Sequence, residues 1–197
     1  VSKSEAASDL AIKASLQALE NARLKPQDLD LIIVATITPD MQFPSTACFV
    51  QASLGAKNAV CFDVSAACAG FIYAIVVAQQ FISRGTYKNA LVVGAEILSS
   101  ITDWQDRNTC VLFGDGAGAA VMAEVKSGGI LSTYIGSDGS NIDLLMLPGG
   151  GSRNPASHKT IDNRLHYIKM RGNELFKLAV TLMADAAGVS LKKAGLE

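Results

Sequence analysis

Residues 31–37, Leu-Ile-Ile-Val-Ala-Thr-Ile, form an unbroken and mostly β-branched apolar run. A strand of that kind is buried on both faces, so it requires covering layers above and below and points to a parallel sheet. Residues 59–64, 90–93 and 117–125 give three further apolar strand signals. Helical patterns alternate with them. Ala7, Leu10, Ala11, Ala14, Ala18 and Ala22 mark one apolar face, entered through a capping box at Ser2-x-x-Glu5. Residues 44–54 predict a short helix closed by Gly55. Residues 68–83 are apolar almost all round and predict a helix buried at the centre of the protein. Residues 173–187 form a further amphipathic helix with Gly188 at its C′ position. Strand and helix alternating in this order indicate an α/β fold with a largely parallel sheet.

Two segments stand apart. Residues 128–168 are rich in Gly, Ser and Asn and predict turns and short strands in a surface excursion. Residues 190–197, Ser-Leu-Lys-Lys-Ala-Gly-Leu-Glu, echo residues 15–24 at the end of the first helix and its turn. In the first copy the turn leads into the strand at Leu31, and in the second the chain stops there. Together with an opening directly on a helix, the echo suggests a duplicated fold cut off early in its second half.

Composition excludes several classes. Apolar residues make up 49% of the 197 residues and charged residues 18%, so much surface must be hidden against the chain itself or a partner. The formal charge of −1 comes without a basic stripe, which argues against a nucleic acid or a membrane surface as ligand. Cys48, Cys61, Cys68 and Cys110 form no Cys-x-x-Cys pair, and His158 and His166 stand apart from them, so no metal site is expected. Dispersed cysteines suit a reduced, cytoplasmic protein. No stretch approaches the about 18 apolar residues that span a bilayer, and Val1-Ser-Lys-Ser-Glu5 has no signal-peptide character.

The chemistry concentrates at Asp63-Val-Ser-Ala-Ala-Cys68-Ala-Gly70-Phe71, which joins a strand to a helix with the cysteine at the helix entry. Unpaired N–H groups and the positive end of the helix dipole favour a thiolate there. Ala69 and Gly70 are small enough to leave room for a substrate. The competing reading is an ordinary buried cysteine, and the same reading suits Cys48, Cys61 and Cys110. Ser65 lacks the Gly-x-Ser-x-Gly elbow of a serine nucleophile.

Ala66-Ala-Cys-Ala-Gly-Phe71 resembles the active-site motif of the β-ketoacyl-acyl-carrier-protein synthase III family. Phe113-Gly-Asp-Gly-Ala-Gly-Ala119 resembles its second signature at the expected distance downstream. Phe43-Pro-Ser45, Leu91-Val-Val-Gly94, Asp106-Arg107 and Gly172-Asn-Glu-Leu-Phe-Lys177 look like family segments in family order. The resemblance implies a thiolase-like layered αβαβα fold. Residues 1–127 would be its N-terminal half, lacking the first strand, and residues 128–168 an excursion. Residues 169–197 would begin a truncated C-terminal half.

It also implies a function. Cys68 would accept an acyl group from an acyl-CoA primer and condense it with malonyl-acyl-carrier protein, releasing carbon dioxide and initiating fatty acid synthesis. The Cys68 N–H would form half of an oxyanion hole. Arg107 would contact the nucleotide end of CoA, while Leu98 and Phe113 would line the acyl pocket. Phe43 would enter the neighbouring subunit of a homodimer. Gly172, Phe176 and Lys177 would rim the pantetheine tunnel, with Lys177 near the carrier protein. No cofactor is implied, CoA being part of the substrate.

The family completes its site with a histidine and an asparagine from the second half, and no His-Gln-Ala-Asn or Gly-Asn-Thr-Ser segment is present. His166 matches a non-catalytic family position, and His158 falls in the excursion. Full turnover by this chain alone is therefore not expected. A non-catalytic acyl- or carrier-binding remnant is the alternative. A dinucleotide site at Gly114-Asp-Gly116-Ala-Gly-Ala119 is a weaker rival, because that motif must open a helix and residues 119–125 read as a strand.

Overall fold

The computed structural model describes residues 4–196. Two compact units divide them, one within Val1–Ile97 and Gly114–Gly129, the other within Leu98–Phe113 and Ile130–Glu197.

The first unit is built on a four-stranded sheet of β1 (Leu31–Ala35), β2 (Val60–Val64), β3 (Asn89–Ile97) and β4 (Asp115–Ala123) in the order β2-β1-β3-β4. β1 pairs in parallel with β2 and β3, as the continuous apolar run requires, and all five β1 residues are buried. β4 runs antiparallel to β3 along its whole length, from Asn89↔Ala123 to Ile97↔Asp115. The glycines of residues 114–118 therefore enter a strand and open no helix, which removes the dinucleotide reading.

Helices α1 (Ala7–Ala22) and α2 (Thr46–Leu54) cover one face, packing with Ile32, Val34, Leu91 and Val93. Helix α3 (Gly70–Ser83) covers the other, against Leu31, Ile33, Ala35, Ala90 and Val92. Period-two alternation along β1 thus feeds two separate cores. β2 follows the same rule, with Cys61 packed on the α1/α2 side and Phe62 and Val64 on the α3 side.

Three expectations change. Ser2 of the expected capping box lies outside the described residues. Helix α1 begins at Ala7, where the Asp9 carboxylate accepts the Ala6 N–H at 2.9 Å. Its buried face is Ala7, Ser8, Ala11, Ser15, Ala18 and Leu19, and Ala22 is exposed. Two serines join that face because their hydroxyls are satisfied, Ser15 by the Ala11 carbonyl at 2.7 Å and Ser8 by Asp40 at 2.6 Å. Helix α3 is not buried all round. Only Gly70, Ala74 and Ala78 are, and Ile72 is half exposed, because a single helix on a sheet hides one face and no described element of this unit covers the other.

The second unit holds a two-stranded antiparallel pair, β5 (Leu145–Met146) with β6 (Lys169–Met170), the short α4 (His158–Asp162), and α5 (Gly172–Ala194). Asp103 anchors this unit. Its carboxylate accepts from the Arg164 guanidinium at both oxygens and from the Gln105 N–H at 3.0 Å. Arg164 holds the Asp103 carboxyl below the ordinary carboxylate range.

Helix α5 continues through Gly188 to Ala194, seven residues past the expected end. A glycine inside a helix costs about 1 kcal/mol. The residues after it keep helical character, and Lys192 and Lys193 complement the dipole in the last turn. Gly195 (φ 68°) supplies the left-handed stop, as Arg23 (φ 53°) does for α1. In each case the following leucine bonds back over the last turn, Leu24 to the Leu19 carbonyl and Leu196 to the Leu191 carbonyl, both at 3.1 Å. The echoed sequences therefore close their helices in the same way. Among the described residues no helix is long and apolar enough to cross a membrane.

Candidate functional site

The sheet face under α3 changes along its length. Near the start of β1 it carries Leu31 and Ile33, with Ala90 and Val92 on β3. Towards the carboxyl ends of β1 and β3 it carries Ala35 and Gly94. On β4, Gly118 lies opposite Gly94 and Gly116 opposite Glu96. Large side chains hold the helix on, and small ones leave a hollow just beyond its N-terminus.

That hollow is a pocket of about 280 Å³, lined by Ala35, Cys68, Phe71, Gly94, Glu96, Gly116 and Gly118 among others. The two sequence motifs, 40-odd residues apart, meet there: one supplies the cysteine and the other two of the glycines. An opening at the carboxyl ends of parallel strands is where open α/β sheets bind their ligands.

Cys68 lies in a 3₁₀ turn, Ala67–Ala69, between β2 and α3, and it is exposed. The turn is tight. Ala67 adopts φ 45°, a left-handed conformation that costs a residue with a Cβ roughly 1–2 kcal/mol. Ala69 N–H bonds to the Ala66 carbonyl at 3.1 Å and Gly70 N–H to the Ala67 carbonyl.

Gly70 serves a different purpose from the one expected. A Cβ there would lie 3.1 Å from the Ala35 Cβ, so its smallness lets the helix entry press on the end of β1 and does not clear space for a substrate. Gly94 plays a similar part for Phe71, whose ring would stand 3.4 Å from an added Cβ.

Glu96 is the charged residue of the pocket wall, and sequence reasoning passed over it. Its carboxylate accepts from the Ile37 N–H at 2.9 Å, from the Thr38 hydroxyl, and more weakly from the Thr36 hydroxyl at 3.4 Å. The Thr38 oxygen in turn accepts the Ile97 N–H at 2.8 Å, and the Thr36 N–H reaches the Val64 carbonyl at 3.2 Å. Glu96 therefore ties together the carboxyl ends of β1 and β3, and Thr36 adds β2 just before the cysteine turn. The one available signal was a carboxylate ending the otherwise apolar Leu91-Val-Val-Gly-Ala-Glu96.

Asp63 was missed as well. From β2 it accepts the Thr46 and Ala47 N–H groups at 2.7 and 2.8 Å, so the first turn of α2 is capped by another element.

Of the other residues singled out by sequence, Phe43 belongs to the first unit and is 82% exposed between β1 and α2. Leu98, Arg107, Phe113, Gly172, Phe176 and Lys177 belong to the second unit. Leu98 and Phe113 are half-buried and Arg107 is exposed. Gly172, Phe176 and Lys177 occupy the first two turns of α5, and the Phe176 ring is 70% exposed. His158 is exposed. His166 Nε2 lies 3.0 Å from the Thr160 hydroxyl, inside its own unit.

Fold and site define a thiolase-like α/β protein with a cysteine at the carboxyl ends of its strands. Comparison with known proteins narrows this. The family model for 3-oxoacyl-[acyl-carrier-protein] synthase III matches residues 62–139, which contain the cysteine turn, β3 and β4. The β-ketoacyl-[acyl-carrier-protein] synthase III of Caldanaerobacter subterraneus is 60% identical over 194 residues, covering 98% of this chain and 59% of the relative. That of Clostridioides difficile is 56% identical with the same coverage. The crystal structure of the Aquifex aeolicus 3-oxoacyl-[acyl-carrier-protein] synthase III superposes with a TM-score of 0.89 at 47% identity, over all of this chain and 59% of that one. The chain is similar to synthase III proteins over nearly all of its own length, and it spans about 59% of the length of these relatives.

Proposed function

We propose that this chain carries the acyl-accepting part of a decarboxylative condensing enzyme, with Cys68 as the nucleophile. In the proposed cycle the Cys68 thiolate attacks the carbonyl of an acyl-CoA and CoA leaves as its thiol. A malonyl-acyl-carrier protein then loses carbon dioxide, and its carbanion attacks the acyl-enzyme, freeing the cysteine. The product is a lengthened β-ketoacyl-carrier protein.

The observation that carries this reading is the placement of Cys68. It is exposed, held on a tight turn at the entry to α3, and opens on a sheet surface paved with glycine and alanine. A thioester can approach such a sulfur across small residues, and the helix end attracts the negative charge that develops on the attacked oxygen. The names of the similar proteins support a β-ketoacyl-[acyl-carrier-protein] product class.

The remaining roles follow from the family pattern. Arg107 is assigned to the CoA nucleotide, and Leu98 and Phe113 to the acyl chain. Gly172, Phe176 and Lys177 are assigned to the pantetheine arm and carrier. Exposed Phe43 is assigned to the neighbouring subunit of a homodimer, and the large exposed apolar side chains Ile72, Val111 and Leu112 agree with a buried interface there or elsewhere. Residues 169–197 are read as the start of a second, duplicated half, supported by the shared helix closure at Arg23 and Gly195.

Intact-protein mass spectrometry after incubation with acetyl-CoA tests the proposal, with Cys68→Ala alongside. An acetyl mass gain on the parent alone supports it. Acetyl-CoA binding without a covalent adduct would favour the acyl-binding remnant.

A further inference from the structure

On the α1/α2 side of the sheet the fold brings together two thiols that the proposed chemistry does not use. Asp63 and Cys61 are two residues apart on β2 and share a face. Asp63 caps the Thr46 and Ala47 N–H groups and so fixes the first turn of α2 over β2. Cys48, the next residue of that turn, then lies above Cys61 with the two Sγ atoms 3.7 Å apart. The Ser45 hydroxyl lies 3.2 Å from Cys48 Sγ on its other side. Both cysteines are reduced and half-buried.

We propose that Cys48 and Cys61 are a two-electron redox pair, which a hydroperoxide closes into a reversible disulfide. In the first step the Cys48 sulfur attacks a peroxide oxygen. The O–O bond breaks, water (or an alcohol) leaves, and Cys48 becomes a sulfenic acid. In the second step the Cys61 sulfur attacks Cys48 sulfur, the S–O bond breaks, and the oxygen departs as water with the Cys61 proton. Two thiols are oxidised and one peroxide is reduced.

The roles follow from the surroundings. Burial and the neighbouring Cys48 push the Cys61 thiol up to about 11, so it keeps its proton at neutral pH and the first attack on the peroxide falls to Cys48. Closure to a sulfur–sulfur bond of about 2.05 Å requires side-chain rotation and a small approach of α2 to β2. β2 is an edge strand and α2 only nine residues long, so both can yield. The bond would tie α2 to the strand that leads into the Cys68 turn.

The test uses the Cys68→Ala chain, because trypsin leaves Cys61 and position 68 in one peptide, residues 58–84, and Cys48 in another, residues 24–57. After hydrogen peroxide treatment and alkylation under denaturing conditions, peptide mass spectrometry should find these two peptides linked. Alkylation of Cys48 and Cys61 should be lost, Cys110 should remain alkylated, and dithiothreitol should reverse the linkage. In Cys61→Ala, no linked peptide should form and Cys48 should carry oxygen. Full alkylation of both cysteines after peroxide would overturn the proposal, as would stable sulfinic acid at either one without a linked peptide. Circular dichroism of each variant checks that the fold is retained.

Discussion

Replacing Glu96 should loosen the ends of β1 and β3 at once, and the size of the effect can be worked from its partners. Its carboxylate accepts from Ile37 N–H, from the Thr38 hydroxyl and, at 3.4 Å, from the Thr36 hydroxyl. Leaving aside that long contact, two charge-assisted hydrogen bonds remain. Such bonds contribute about 1.5–3 kcal/mol each when buried, and less when half exposed. Glu96→Ala should therefore cost about 2–3 kcal/mol. Glu96→Gln keeps an acceptor for Ile37 but turns an amide donor on Thr38, whose oxygen already receives the Ile97 N–H. That change should cost about 1 kcal/mol. Urea unfolding gives the two differences, and amide exchange at Ile37 and Ile97 localises them, with about tenfold faster exchange per 1.4 kcal/mol of local loss. Acetylation of Cys68 should slow in the same order, because Glu96 lines its pocket. A loss below about 0.5 kcal/mol for Glu96→Ala would refute the strand-tying argument. So would a glutamine variant as unstable as the alanine one.

Two further outcomes follow from carboxylates elsewhere. Asp63→Asn should destabilise the chain by about 1–2 kcal/mol, since one of the two helical N–H groups it caps would face an amide donor; unchanged thermal unfolding would contradict this. In the second unit, the Arg164 guanidinium holds the Asp103 carboxyl below its ordinary value. A carboxyl depressed on folding contributes stability that is complete above its unfolded value of about 3.9 and fades as pH falls through the folded one. The stability gap between parent and Asp103→Asn should thus be full at neutral pH and close below about pH 4. A gap that stays constant from pH 7 to pH 3 would rule out this linkage.

The chain's local periodicities were enough to predict each strand of the sheet and the strand-to-helix junction that holds Cys68, though not the 3₁₀ turn in which it lies. A β-branched run such as Leu31–Ala35 needs cover on both faces whatever surrounds it, and a strand joined through small residues to an apolar helix leaves little choice for the cysteine between them. Helix ends were partly legible. Gly55 stops α2 as expected, whereas Gly188 does not stop α5, because a glycine permits a left-handed residue without requiring one. What tertiary structure alone decided are the contacts between residues far apart in the chain. β4 runs antiparallel because it returns along β3, and that pairing sets Gly116 and Gly118 opposite Glu96 and Gly94 in the Cys68 pocket. Glu96 meets a turn 58 to 60 residues earlier, and Asp63 caps a helix that precedes it by 16 and 17. Ser8 is buried only because Asp40, 32 residues on, receives its hydroxyl. Hydrophobic spacing records which side of an element is covered, while hydrogen-bond partners depend on the order in which the elements are laid together.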